Sequence, residues 1–342
     1  TQRWLLNPDL QAIVPDPEAT VSLADTRKFM DAAIEDDQIS QTLRHHLRER
    51  YSQVFGLPSG AGAVQPSSPL PAAFQQDIPA SKPPYRRLRV YAMDPSFATR
   101  FETAPMSEVV LKVRWEELQP GPTGTYLEVR DDDQTSGSSA NLNDPLLLAQ
   151  DGCPASEGNP LFHKQMVYAV AMKTIEHFER ALGRRVLWRP REDETGSTRY
   201  TSQLAIYPHA LQQANAYYSP REVALRFGYF EATAADPGFH LPGQRIYSCL
   251  SHDIIAHETT HAILDGMHSR YNEASTPDSL AFHEAFADIV ALMQHFTLPE
   301  ILEHEIRHTR GNLETQSILG SLAVQFGRAL GKRGALREAI GT

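Results

Sequence analysis

The sequence predicts an α+β protein, and three observations carry that prediction. Strand-like alternation recurs at 87–93, 108–115, 125–129, 204–207 and 223–229, with Pro120-Gly121-Pro122 as turn chemistry between two of them. A long helical pattern at 160–182 falls among these strands. Two further helices, at 251–268 and 280–296, then follow the strands, so the helices gather toward the C-terminal end.

Composition sets the outer bounds. The chain has 342 residues, 41% hydrophobic and 22% charged, as expected of a globular protein long enough for two domains. A net charge of -10 argues against a nucleic-acid partner, which requires a basic surface. No apolar run is long enough to span a membrane. Two cysteines, Cys153 and Cys249, allow one disulfide or two free thiols. The chain opens on Thr1 without a signal sequence and closes on Thr342 in mid-pattern, so both ends are expected to be cut, and the compartment stays open.

In chain order, 1–55 reads as a helical extension or pro-segment, with helical spacing at 25–35 and 38–51. His45 and His46 are adjacent and read as solvated. Residues 56–84 are rich in Pro, Gly, Ala and Ser, a linker open to proteolysis. The β-rich part, 85–270, ends in the helix at 251–268, and 271–342 reads as an incomplete helical subdomain. Asp131, Asp132 and Asp133 read as a solvated loop rather than a calcium site. Pro160 opens the long helix, Leu161, Met166, Val167, Val170, Ile175, Phe178 and Leu182 recur along it, and Gly183 stops it. His163 and His177 on that helix are too far apart to share a metal and read as packing or surface residues. Short strands are expected at 186–188, and the tail at 299–340 reads as two or more helical pieces.

The chemistry concentrates in His257-Glu258-Thr259-Thr260-His261, the H-E-x-x-H pattern. Residues four apart share a helix face, so His257 and His261 can offer two imidazoles to one metal ion. Glu258, one step round, reaches a water beside the metal without being a ligand. Apolar Ile254, Ile255, Ala256, Ala262, Ile263 and Leu264 flank the motif and predict a buried helix. Buried ionisable groups are costly unless paired, and a bound Zn²⁺ would pair them. A catalytic zinc takes a third protein ligand. The best candidate is Glu284, on the second helix, with Asp288 one turn beyond to accept the free ring N–H of a ligand histidine. His283 is expected to face elsewhere, and His252 and His268 lie off the motif's face.

These residues resemble the gluzincin metallopeptidases, in particular the thermolysin-like family. That family joins H-E-x-x-H to a glutamate in an Asn-Glu-Ala-x-x-Asp context; here the segment reads His283-Glu284-Ala285-Phe286-Ala287-Asp288. Asp253-Ile254-Ile255-Ala256-His257-Glu258 is similar to the family's segment entering the motif, and Asn215-Ala216-Tyr217-Tyr218 to its cleft-lining segment. The resemblance covers about 160–300. It implies a zincin fold with a mixed N-terminal sheet, Glu258 as general base, and Asn215, Ala216 and Tyr217 binding an extended peptide or protein substrate. It also implies that Tyr271 helps bind the oxyanion.

Three departures stand out. Only 285–342 follow Glu284, too short for the family's C-terminal domain and its oxyanion histidine, and His304 and His308 fall too early to replace it. His295 stands where the family has calcium-binding acids after its equivalent of Asp253, which makes Ca²⁺ doubtful. Residues 1–150 match no family pattern. The expectation is a zinc endopeptidase; the alternatives are a catalytically silent zinc-binding scaffold or a latent zymogen. Substrate specificity and oligomeric state are not legible.

Overall fold

In a computed structural model, the described residues are 83–130, 141–192, 198–233, 240–241, 243–272, 276–312, 320–330 and 337–338, with 28, 31, 32 and 34. The chain divides into two compact units, Thr1–Ala80 and Ser81–Thr342. In the first, residues 28, 31, 32 and 34 are helical, within the pattern expected at 25–35. The helix expected at 38–51, His45, His46, the linker up to residue 82 and the three aspartates at 131–133 lie outside the described residues.

The second unit opens with a hairpin, β1 (Tyr85–Tyr91) against β2 (Glu108–Arg114), antiparallel with Leu88 opposite Leu111. The alternation dictates its faces: Leu88, Val90, Val109, Leu111 and Val113 are buried, while Arg87 and Lys112 point outward. After β3 (Leu127–Val129) and the short helix α1 (Pro145–Ala149) comes α2 (Pro160–Leu182). The Asn159 side chain caps α2 by accepting from Leu161 N, Pro160 occupies its first turn, and Gly183 ends it in a left-handed conformation at φ 65. Most side chains from Phe162 to Ile175 are buried, so α2 runs through the core rather than along a surface.

Beyond the two-residue ribbon β4 (Arg191–Glu192) and β5 (Thr198–Arg199) lie β6 (Leu204–Leu211), β7 (Ala216–Ser219), β8 (Ala224–Glu231) and β9 (Arg245–Tyr247). They form a mixed five-stranded sheet in the order β3-β6-β8-β7, with β9 also on β8. β3, β6 and β8 run parallel, whereas β7 and β9 are antiparallel to β8. A 3-10 turn, Ser248–Leu250, leads into α3 (His252–Met267), followed by α4 (Pro277–His295) and α5 (Pro299–Thr309). The chain closes with β10 (Ser321–Leu322), α6 (Val324–Ala329) and β11 (Arg337–Glu338).

Two expectations change. Residues 186–188 form no strand; Val186 and Trp188 are buried and Trp188 Nε1 donates to Tyr126 O at 3.0 Å, so their apolar spacing reports burial without a ladder. The tail is only partly helical, since β10 and β11 pair around α6. Cys153 and Cys249 are both buried free thiols. Among the described residues, no helix is long and apolar enough to cross a membrane.

Candidate metal centre

α3 carries the motif, and its burial explains the intervening threonines. The Thr259 and Thr260 hydroxyls donate back to the carbonyls of Ile255 (2.7 Å) and Ala256 (2.8 Å), so neither needs a partner outside the helix. One face is left with His257, Glu258 and His261. α4 lies across it, started by Thr276, which accepts from Ser279 N, with Pro277 at its first position.

The donors converge. His257 Nε2 and His261 Nε2 lie 2.9 Å apart, and each is 3.4 Å from an oxygen of Glu284. A tetrahedral zinc with bonds of about 2.0–2.1 Å would hold such ligands roughly 3.3 Å apart. Two imidazoles and a carboxylate with this spacing are a donor set that zinc fits. The outward nitrogens are held as well. Asp288 Oδ1 accepts from His257 Nδ1 at 2.9 Å, which leaves His257 Nε2 to face the cluster. His261 Nδ1 meets His283 Nδ1 at 2.6 Å, with the two rings stacked 4.7 Å apart.

That second contact corrects an expectation. His283 does not face away; it is buried and stands behind a cluster histidine. Burial, then the neighbouring His261, lowers its pKa, which keeps it neutral and able to accept from His261 Nδ1–H. Burial also pulls His257 down, but the Asp288 and Glu284 carboxylates outweigh it and raise His257 to about 9. Glu284 is held far below the usual carboxylate range by hydrogen bonds first from His257 and then from His261.

Glu258 is buried, and burial pushes its carboxyl up against the opposing pull of His257 and His261. The backbone N–H of Tyr218 on β7 donates to this carboxylate. Tyr218 therefore faces away from β8, and by strand alternation so does Ala216. The complementary parity holds too, because Asn215 O accepts from Gly228 N on β8 at 2.9 Å. A Cβ on Gly228 would meet Gln213 O at 2.2 Å, so a glycine there lets the β6–β7 turn close over β8. β7 thus ends the sheet beside the motif with backbone groups directed toward it.

Two adjoining cavities meet at His257 and Glu258 and share Asn215 and Ala216. One, of about 370 Å³, is lined by Tyr217, Tyr218, His261, His283 and Glu284. The other, of about 270 Å³, is lined by apolar Ile254, Ala291, Leu322, Ala323, Phe326 and Leu330 together with Asp253 and Asp288. The structure thus brings together His257, Glu258, His261, Glu284, Asp288, Asn215, Ala216 and Tyr217. It does not bring Tyr271, which stacks on His268 at 4.9 Å and lines neither cavity.

Sequence reasoning missed three residues around the centre. His283 is one; its only signal was its place beside Glu284. Asp265, four residues after His261, accepts from Tyr218 Oη at 2.8 Å and pairs with Arg189 at 3.0 Å, tying the motif helix to β7. Tyr218 is the other end of that tie. Asp253 takes hydrogen bonds from Ser251, Ile254 N (2.9 Å) and Ala323 N (2.5 Å), so its carboxylate anchors the chain before α6.

Compared with known protein families and with curated proteins, the chain matches none.

Proposed function

We propose that this chain is a zinc-dependent endopeptidase of the gluzincin, thermolysin-like kind. The observation that carries the reading is the triangle formed by His257 Nε2, His261 Nε2 and the Glu284 carboxylate, with buried Glu258 beside it and the edge strand β7 alongside. His257, His261 and Glu284 would hold the ion, and zinc there would supply Lewis acidity toward water and a peptide carbonyl.

The chain's own groups supply the rest. Residues Asn215 to Tyr218 offer a strand edge to which an extended peptide adds by backbone pairing. The apolar cavity beside His257 takes an apolar side chain of that peptide, which gives a preference the sequence did not reveal. Glu258, whose carboxyl is pushed up by burial, takes the proton of the attacking water and passes it to the leaving amine. Tyr218 N–H and the strand behind it hold that carboxylate in place. Tyr271, which stacks on His268 and lines neither cavity, is given no step in this scheme.

The test is hydrolysis of a denatured protein by the zinc-loaded chain and by Glu258→Gln, with cleavage sites read by mass spectrometry. The expected result is cleavage beside apolar residues by the wild type and a loss of at least ~10³-fold in Glu258→Gln with zinc content unchanged. Zinc bound at the centre with no cleavage by the wild type would overturn the reading in favour of a binding protein.

A further inference from the structure

A second cluster of metal-ligating side chains lies apart from the motif. His163 sits in the first turns of α2, His209 near the end of β6, and Cys249 in the 3-10 turn that launches α3. One donor atom from each lies within 4.8 Å of the other two. His163 and Cys249 are buried, while His209 is half-buried and open to an entering ion. The Tyr247 ring packs against both imidazoles, at 4.6 Å from His163 and 5.5 Å from His209.

The hydrogen bonds fix which atoms face inward. His163 Nε2 lies 2.9 Å from Glu157 O, a carbonyl that can only accept, so the His163 proton is on Nε2. His163 Nδ1 is then a lone pair, and the 2.7 Å contact with His209 Nε2 is an N–H···N bond donated by His209. An imidazole anchored by one N–H on a backbone carbonyl, with its other nitrogen facing a second histidine and a thiol among the donors within 4.8 Å, is the arrangement that metal-ligating histidines use.

We propose that His163, His209 and Cys249 form a second metal site for a thiophilic divalent ion, Zn²⁺, bound through His163 Nδ1, His209 Nε2 and Cys249 Sγ. On binding, the Cys249 thiol releases its proton to solvent, and the His209 proton passes from Nε2 to Nδ1. The two nitrogens part from 2.7 Å to the roughly 3.3 Å that a tetrahedral ion sets, and water fills the fourth position from the His209 side. Without metal, burial raises the Cys249 thiol well above its ordinary value, so it stays protonated; the ion is what makes it a thiolate. The site ties α2, β6 and the turn before the motif helix together, which gives the ion a structural role at the root of α3.

Cobalt distinguishes this site from the motif, because only the second site has a sulfur ligand. The chelator-stripped full chain is titrated with Co²⁺ and followed by bound equivalents and by the near-ultraviolet thiolate-to-cobalt charge-transfer band. Two equivalents and a strong band, erased by added Zn²⁺, are expected. Cys249→Ala and His209→Ala should each lose the band and one equivalent. Cys153→Ala should change neither, and His257→Ala should lose the other equivalent and keep the band. His209→Ala carries the test if Cys249→Ala does not fold, since His209 is only half-buried. A wild type without the band, a band that survives Cys249→Ala, or one lost in Cys153→Ala would overturn the proposal whatever happens at the motif.

Discussion

Asp288 and His283 hold the outward nitrogens of the two cluster histidines, and both come from α4, on either side of Glu284. Such supports fix the tautomer and ring orientation, and losing one costs metal affinity by about 10–100-fold. Asp288→Ala should therefore weaken zinc binding by that factor, read by competition with a chromogenic chelator; an unchanged affinity would show that Asp288 does not orient His257. His283 calls for a paired comparison. His283→Leu removes the acceptor behind His261 and should weaken zinc about tenfold. His283→Asn keeps an acceptor and should stay within a few-fold of wild type, so equal losses in both would point to packing alone. The convergence of His257, His261 and Glu284 was legible because helical spacing tells which side of its own helix a residue occupies. The role of His283 was not, because spacing does not give the angle at which α4 crosses α3, and that crossing stacks its ring on His261 at an interplanar angle of 17°.

The motif helix has to approach its neighbours closely. A Cβ at Gly266 would stand 1.9 Å from Leu187 O, so α3 presses directly on the backbone at 187–188. Gly266→Ala should destabilise the protein by about 1–3 kcal/mol through overpacking, and lower the midpoint of thermal unfolding. Gly158→Ala, where nothing lies within 4 Å of the added carbon, is the matched control and should be near neutral. Equal midpoints for the two variants would mean that 187–188 yields freely. At the segment where a strand was expected, 186–188, the backbone seats α3 while Val186 and Trp188 pack into the core and Leu187 is exposed, with no ladder formed. Long elements with strong periodicity and caps, such as α2 between Asn159 and Gly183, were legible from the sequence alone. β7 and β9, four and three residues long, carry too little periodicity to be read as strands and form because β8 offers its 224–227 stretch to β7 and its 229–231 stretch to β9.

Across the whole molecule, His252 joins three elements at once. It heads α3, with Nδ1 3.4 Å from Tyr91 O on β1 and Nε2 3.4 Å from Gln294 Oε1 on α4. Burial, reinforced by nearby His295, lowers its pKa from 6.5 to about 4. The sign follows from linkage. Between those values the unfolded chain holds the proton and the folded chain does not, so stability rises with pH through this window and is lost on acidification. At ~1.4 kcal/mol per pKa unit, this one histidine costs on the order of 2 kcal/mol between pH 6.5 and about 5. Asp94 works the other way. Burial raises it from 3.8 to about 6, so its folded form gains protons first and its stability contribution falls as pH rises through that range. The two windows overlap, and the wild-type profile alone mixes them. His252→Gln separates them, because glutamine keeps polar atoms near Tyr91 O and Gln294 but cannot take a proton at these pH values. With both proteins stripped of metal, so that zinc release does not intrude, urea unfolding midpoints are compared from about pH 7 to about pH 5. The variant should lose less stability than the wild type by ~2 kcal/mol across that interval. Parallel profiles would mean that His252 enters the folded state already charged, and that the junction of β1, α3 and α4 is open to water.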